Sequence, residues 1–197
     1  MRTEAEGRKG KSDLFKRMRA VFLDRDGTIN EDPGYLSDVG KLKIIPGAVE
    51  AVKLLKEEGF LIFIVTNQSG LARGLFGAED LERIHHKLKE IFPLDGISYC
   101  PHHPDEDCAC RKPRPEMVRD IVDKFGIDLG ESYLIGDALS DMEMGQRAGC
   151  KSILVLTGKG KETEALLREG GPPVEFIAKD ILEAAKWIAQ RRNQLKK

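Results

Sequence analysis

Two carboxylates one residue apart, Asp24 and Asp26, followed by Gly27, stand at the end of the apolar run Ala20-Val21-Phe22-Leu23. A run with no polar alternation has no solvent face and reads as a buried parallel strand, which puts both acids at its C-terminal end. Acids that close, just outside a dry sheet, repel each other and lose hydration unless a cation or a ligand shares the space. A divalent metal is the obvious occupant. Such a pair suits phosphoryl transfer: one carboxylate attacks phosphorus, and the other protonates the departing oxygen and then activates water. Taken alone, D-x-D-G also fits a solvated turn.

Three further stretches carry chemistry. Thr66-Asn67-Gln68-Ser69-Gly70 follows the apolar run 60–65 and offers a hydroxyl, amides and backbone donors to a phosphate oxygen. Asp137 ends the run 132–136, with Asp141 a helical turn later, and supplies a distant carboxylate for a metal shared with Asp24. Between them lie Cys100, Cys108 and Cys110 beside His102 and His103. Three thiols and an imidazole meet the ligand count and softness of a closed tetrahedral zinc site. His102 is the expected fourth ligand and His103 the alternate. A closed site leaves no open position, so its role is structural, and it would stiffen the adjacent Arg111-Lys112-Pro113.

These residues need a scaffold that places four chain segments at one edge. Apolar strands at 20–23, 60–65, 96–99, 132–136 and 152–156 alternate with amphipathic helices: one opened by Pro46 and stopped by Gly59, one bearing Leu81, Ile84, Leu88 and Ile91, and one from Pro115 to Gly126. A short edge strand at 174–177 and a closing helix with Ile181, Leu182, Ala185 and Ile188 complete the pattern, with Trp187 over that face. The expectation is an α/β doubly wound three-layer fold with a parallel sheet, whose ligands bind beyond the carboxyl ends of its strands. His85 and His86 are read as surface residues, Cys150 as a small buried hydrophobe, and Thr157-Gly158-Lys159-Gly160 as a turn, since it lacks phosphate-loop spacing.

The 197 residues suffice for one core: a flexible basic tail over 1–18 and a single domain over 19–197, including the zinc loop 100–110. Lys and Arg number 32 against 33 Asp and Glu, which leaves no global field for nucleic acid or an anionic membrane. With no membrane-length apolar run and no signal-peptide core, the chain is expected in the cytoplasm, as a monomer.

The stretches DRDGTIN, GYL, TNQSGLARG, CPHHP, CxCRKP and GDxxxD together resemble the haloacid dehalogenase superfamily of phosphotransferases, and within it the heptose bisphosphate and histidinol-phosphate phosphatases. The resemblance runs from about residue 20 to 160. It implies a magnesium-dependent phosphatase acting through an aspartyl-phosphate, with Asp24 as nucleophile and Asp26 as general acid and base. It implies Mg2+ on Asp24, the Asp26 main-chain carbonyl and Asp137, and Zn2+ on Cys100, His102, Cys108 and Cys110. Thr66 and Lys112 would stabilise the transferring group. Asp32, Gly34, Tyr35, Asn67, Gln68, Ser69 and Arg111 would hold the substrate, with the 7-phosphate of a heptose 1,7-bisphosphate the leading candidate and histidinol phosphate the alternative. A non-catalytic module using the zinc loop as an interaction surface is the reading from another class. The segments after the motif strands are too short for a large cap, so the site would be capless. Ala138 stands where heptose enzymes often carry Lys, Glu116 where Gly is usual, and the zinc loop is short between His102 and Cys108. These departures bear on substrate identity.

Overall fold

The computed structural model describes residues 18–195. Six parallel strands form one sheet in the order β3-β2-β1-β4-β5-β6, with β1 Ala20–Leu23, β2 Leu61–Asn67, β3 Gly96–Cys100, β4 Tyr133–Gly136, β5 Lys151–Val155 and β6 Phe176–Ala178. The helices are α1 Ala48–Glu57, α2 Ala78–Ile91, α3 Glu116–Phe125, α4 Leu139–Ala148, α5 Gly160–Arg168 and α6 Ile181–Leu195. Alternate strand residues feed two cores. Val21, Leu23, Ile62, Ile64, Ile135 and Ile153 face α1, α2 and α6. Phe22, Phe63, Val65, Leu134 and Leu154 face α3 and α4. Burial on both faces is why each strand reads as an unbroken apolar run.

The strand order reverses at β1, whose neighbours are β2 on one side and β4 on the other. The crevice beyond that switch point is where such sheets take ligands. Asp24 is pinned there because its backbone N–H donates to the Ile135 carbonyl at 2.9 Å, extending the β1–β4 ladder by one residue. The tail expected over 1–18 falls on residues outside those described, except Met18, which bridges to Ile127 and accepts from the Asp128 N–H at 2.7 Å. No described helix is long and apolar enough to cross a membrane.

Several boundaries shift. β2 runs through Thr66 and Asn67, because both still pair with β3. α1 starts at Ala48 after Gly47, whose φ of 84° suits glycine, rather than at Pro46. The last strand lies later than expected, at Phe176–Ala178. α5 was not anticipated: it buries only Gly160 and Thr163, too little to leave an apolar stripe. Trp187 covers the sheet edge as expected, stacked on Phe176 with centroids 5.0 Å apart.

His85 corrects the surface assignment: it is 4 % exposed, packed against Tyr99, whereas the His86 side chain is 77 % exposed. Burial, aided by the positive charges of Arg25 and Lys89, pushes the His85 imidazole down to about 4. The unfolded chain, with an ordinary imidazole near ~6.5, therefore binds this proton first, and folding stability falls as pH drops from there toward 4. At pH 5 the loss attributable to His85 is about 2 kcal/mol. Urea unfolding at pH 7 and pH 5 should show this difference shrinking in His85→Gln; an unchanged difference removes the assignment.

Candidate active site

The clustered carboxylates come from two adjacent strand ends. Asp24 follows β1, Asp137 follows β4, and Asp141 sits in the first turn of α4. One oxygen from each lies within 4.8 Å of the others. Lys112 reaches in from the loop before α3 and places its Nζ 2.5 Å from Asp24 Oδ1 and 2.7 Å from Asp141 Oδ1. Burial alone would lower the Lys112 ammonium, but the Asp141 and Asp24 carboxylates outweigh it and hold it above its ordinary range. One cation cannot neutralise three acids. Burial, with Asp141 and Asp137 nearby, holds the Asp24 carboxyl well above the usual carboxylate range against the pull of Lys112. Burial likewise pushes Asp137 to about 6, with Asp141 adding to it and the Lys159 N–H opposing. A hard divalent ion suits this set: oxygen donors only, and more negative charge than the protein offsets.

The glycines enforce the close approach. A Cβ at Gly27 or Gly158 would overlap the Asp137 carboxylate. The segment read as a plain turn, 157–160, therefore closes the site's floor: Thr157 Oγ1 donates to the Gly27 carbonyl at 2.6 Å and Lys159 N–H to Asp137 Oδ2 at 2.8 Å.

Asp26 is differently placed. Its carboxylate accepts from Arg25, from Asn30 Nδ2 at 2.9 Å and from Gln68 Nε2 at 3.0 Å, and its side chain is 20 % exposed. Thr66 is buried and accepts at Oγ1 from Gln68 Nε2. Asn67 Oδ1 accepts the Lys112 N–H at 3.1 Å, fixing the Lys112 backbone to the end of β2. Asp32 accepts the Gly34 N–H at 2.8 Å, which folds the first loop so that Tyr35 stands 46 % exposed at the cavity. Asp24, Asp26, Asp32, Gly34, Tyr35, Thr66, Asn67, Gln68, Ser69, Arg111, Lys112 and Asp137 all line one cavity of about 320 Å³. Every acid, hydroxyl and cation predicted for catalysis or substrate is thus in one place. Arg73, Pro104, Ser140 and Lys159 line it as well and were not anticipated.

The thiol cluster forms a second centre. Cys100 Sγ lies 3.5 Å from Cys108 Sγ and 3.6 Å from His102 Nδ1, while Cys110 Sγ lies 3.2 Å from that nitrogen and 3.8 Å from Cys108 Sγ. A tetrahedron with Zn–S near 2.3 Å and Zn–N near 2.0 Å has edges of roughly 3.5–3.8 Å. The cluster fits zinc, and the four cysteines form no disulfide. His103 is outside it, 3.2 Å from Asp105. Cys110 directly precedes Arg111 and Lys112, and Pro104 of the same loop lines the cavity.

The profile of the HAD-hydrolase-like family matches residues 109–184. The D-glycero-beta-D-manno-heptose-1,7-bisphosphate 7-phosphatase of Bordetella bronchiseptica is 37 % identical over 180 residues, covering 88 % of this chain and 99 % of that protein. The enzyme of the same name from Pseudomonas aeruginosa is 40 % identical over 176 residues, covering 86 % and 97 %. The crystal structure of the D,D-heptose 1,7-bisphosphate phosphatase from B. bronchiseptica complexed with magnesium and phosphate superposes with a TM-score of 0.82 at 37 % identity, over 88 % of this chain and 99 % of that one. A chain with this sheet, this carboxylate cluster and full-length relatives of this similarity belongs to the haloacid dehalogenase-like hydrolases, in the group of the D-glycero-beta-D-manno-heptose-1,7-bisphosphate 7-phosphatases.

Proposed function

We propose that the chain is a magnesium-dependent phosphatase that removes the 7-phosphate of D-glycero-D-manno-heptose 1,7-bisphosphate. The observation that carries the chemistry is the shared cluster: a buried carboxylate, Asp24, at the mouth of a polar cavity, beside a lysine and two further acids. An Asp24 oxygen attacks phosphorus, the bond from phosphorus to the sugar oxygen breaks, and that oxygen takes the proton of the Asp26 carboxyl. Asp26, now ionised, takes a proton from water as the water oxygen attacks the aspartyl-phosphate. The bond from phosphorus to Asp24 then breaks and inorganic phosphate leaves. Mg2+ held by Asp24, the Asp26 carbonyl and Asp137 supplies positive charge that lets an anionic nucleophile approach an anionic phosphate. Lys112 and the Thr66 hydroxyl stabilise the charge on the transferring oxygens. Asp32, Gly34, Tyr35, Asn67, Gln68, Ser69 and Arg111 shape the sugar and phosphate contacts, and zinc on Cys100, His102, Cys108 and Cys110 holds the loop that carries Arg111.

A bisphosphate is favoured over histidinol phosphate by the cavity's cations. Lys112 is paired with Asp24 and Asp141, and Lys159 Nζ lies 3.8 Å from Asp32. Arg73 and Arg111 line the cavity, and neither has a carboxylate partner among the described residues; Arg111 Nη1 is buried without any partner. Free guanidinium groups suit a second, non-reacting phosphate, which they can bind with paired donors. The chain is read as one phosphatase domain over 19–197, a monomer with a small sugar phosphate as its partner and neither nucleic acid nor membrane. The near-balance of acidic and basic residues supports this. A cytoplasmic setting is supported by the thiol cluster, which needs a reducing compartment.

With Mg2+ present, kcat/KM for the heptose bisphosphate should exceed that for histidinol phosphate by at least about 100-fold, or roughly 2.7 kcal/mol. Arg73→Gln, at an exposed position, should raise KM for the bisphosphate by about tenfold and leave a sugar monophosphate unchanged. Faster turnover of histidinol phosphate by the wild-type protein would overturn the substrate assignment.

A further inference from the structure

Arg25 is among the largest fully buried side chains of the protein, at 1 % exposure, although it lies between the two acids of the motif. A buried guanidinium is costly unless its donors are satisfied by fixed acceptors. Its acceptors all belong to the site. Nε lies 3.0 and 3.1 Å from the two oxygens of Asp26, and Nη2 lies 2.7 Å from Asp26 Oδ2 and 3.1 Å from Gln68 Oε1. Gln68 closes the ring by donating Nε2 to Asp26 Oδ2 at 3.0 Å and to Thr66 Oγ1 at 2.9 Å. Arg25 Nη1 and His85 Nε2 are buried without partners, and among the described residues the side-chain hydrogen bonds of Arg25 go to Asp26 and Gln68.

We infer that Arg25 and Gln68 are positioning residues, a side-chain clamp that fixes the rotation of the Asp26 carboxyl so that one oxygen faces the reacting bond. The inference rests on the reading of Asp26 as proton donor and acceptor. A forked, two-point contact fixes the plane of a carboxylate, which a single lysine contact does not. The same ring has a consequence for Thr66. Because Oγ1 accepts from Gln68, its own proton is directed elsewhere, and the hydroxyl lines the cavity.

The test compares a sugar monophosphate, whose alkoxide must be protonated as it leaves, with p-nitrophenyl phosphate, whose nitrophenolate leaves without a proton, both with Mg2+. In Arg25→Gln, kcat for the sugar phosphate should fall by about 100-fold, within the range that a positioned acid or base contributes, with KM changed less than about threefold. With p-nitrophenyl phosphate the first turnover should stay within about fivefold of wild type. Slow steady-state release should follow, giving a burst of one nitrophenolate per chain, because hydrolysis of the aspartyl-phosphate still needs Asp26 as base. Arg25→Lys keeps the charge and gives up the fork; it should show the same pattern with about a tenfold loss. Should neither Arg25 variant fold, Gln68→Met is read in the same assay by kcat alone: the loss on the sugar phosphate should exceed the loss of the first turnover on p-nitrophenyl phosphate by at least about tenfold, while KM rises on both substrates because Gln68 also lines the cavity. Equal loss of the first turnover on both substrates, or wild-type kcat on the sugar phosphate, overturns the clamp. Asp26→Asn separates the two ideas. If it shows the burst and the clamp variants do not, the clamp fails; if it turns over sugar phosphate normally, the reading of Asp26 fails instead.

Discussion

Asp24→Asn is expected to lower kcat by at least about 10⁴-fold, or roughly 5.5 kcal/mol of transition-state stabilisation, while leaving the protein folded. The amide keeps the size of the side chain and loses the attacking charge. Folding should survive because Lys112 Nζ retains Asp141 at 2.7 Å, so no buried cation is stranded. Removing one of three crowded acids also relieves the repulsion and desolvation that hold the Asp24 carboxyl above its usual range. Metal-free Asp24→Asn should therefore melt at the wild-type temperature or above it. Thermal melts without metal and single-turnover assays with Mg2+ read both outcomes. Wild-type-like turnover would refute the nucleophile, and a collapsed melt would show that Asp24 is needed for folding.

The parts of the molecule legible in the sequence were those whose physics is local. A strand buried on both faces is a continuous apolar run, so β1 and β4 and the acids at their ends could be placed directly. The thiol cluster was legible because its ligands lie close in the chain. Asp141 was visible as a second acid after β4, but its pairing with Lys112 depends on a contact across 29 positions. The burial of Arg25 depends on Gln68, 43 residues away, and a charged side chain in a loop otherwise reads as solvated. The turn 157–160 lacked a motif because it contributes a backbone N–H and a hydroxyl, which any sequence with the right glycines can supply. For His85 the signal was present. Positions 81, 84, 85 and 88 share one helix face, and the four are buried together; reading the imidazole as polar set it apart from the stripe it belongs to.

The contrast between local and assembled signals bears most on Lys112, which joins the segment after the thiol cluster to Asp24 and to α4. Its backbone N–H is tied to Asn67 and its ammonium to Asp24 and Asp141, with the side chain 3 % exposed. Lys112→Met fills the same slot without charge. Asp24, Asp137 and Asp141 would then face one another without a counter-charge, and breaking a buried pair by removing one partner costs about 3–5 kcal/mol. Part of that cost is relieved as the carboxyls take up protons, so the metal-free variant should be most destabilised at high pH and recover as pH falls, beginning above the value of about 6 that Asp137 has with the Lys112 charge beside it. A divalent cation offsets the same excess charge, so added Mg2+ should raise the melting temperature of Lys112→Met by more than it raises that of the wild type. On the proposed role of Lys112 in stabilising the transferring group, catalysis should not recover with stability, because the ion does not replace the ammonium; kcat should stay about 10³-fold down even at saturating Mg2+. Lys112→Arg should rescue little, since its wider fork does not fit a slot shaped for a single ammonium. Thermal melts with and without Mg2+, across pH 6 to 9, and saturating turnover assays separate these effects. A variant that melts like the wild type without metal, or turns over within tenfold of it, would mean that the three carboxylates do not depend on this lysine and that their charge is balanced elsewhere.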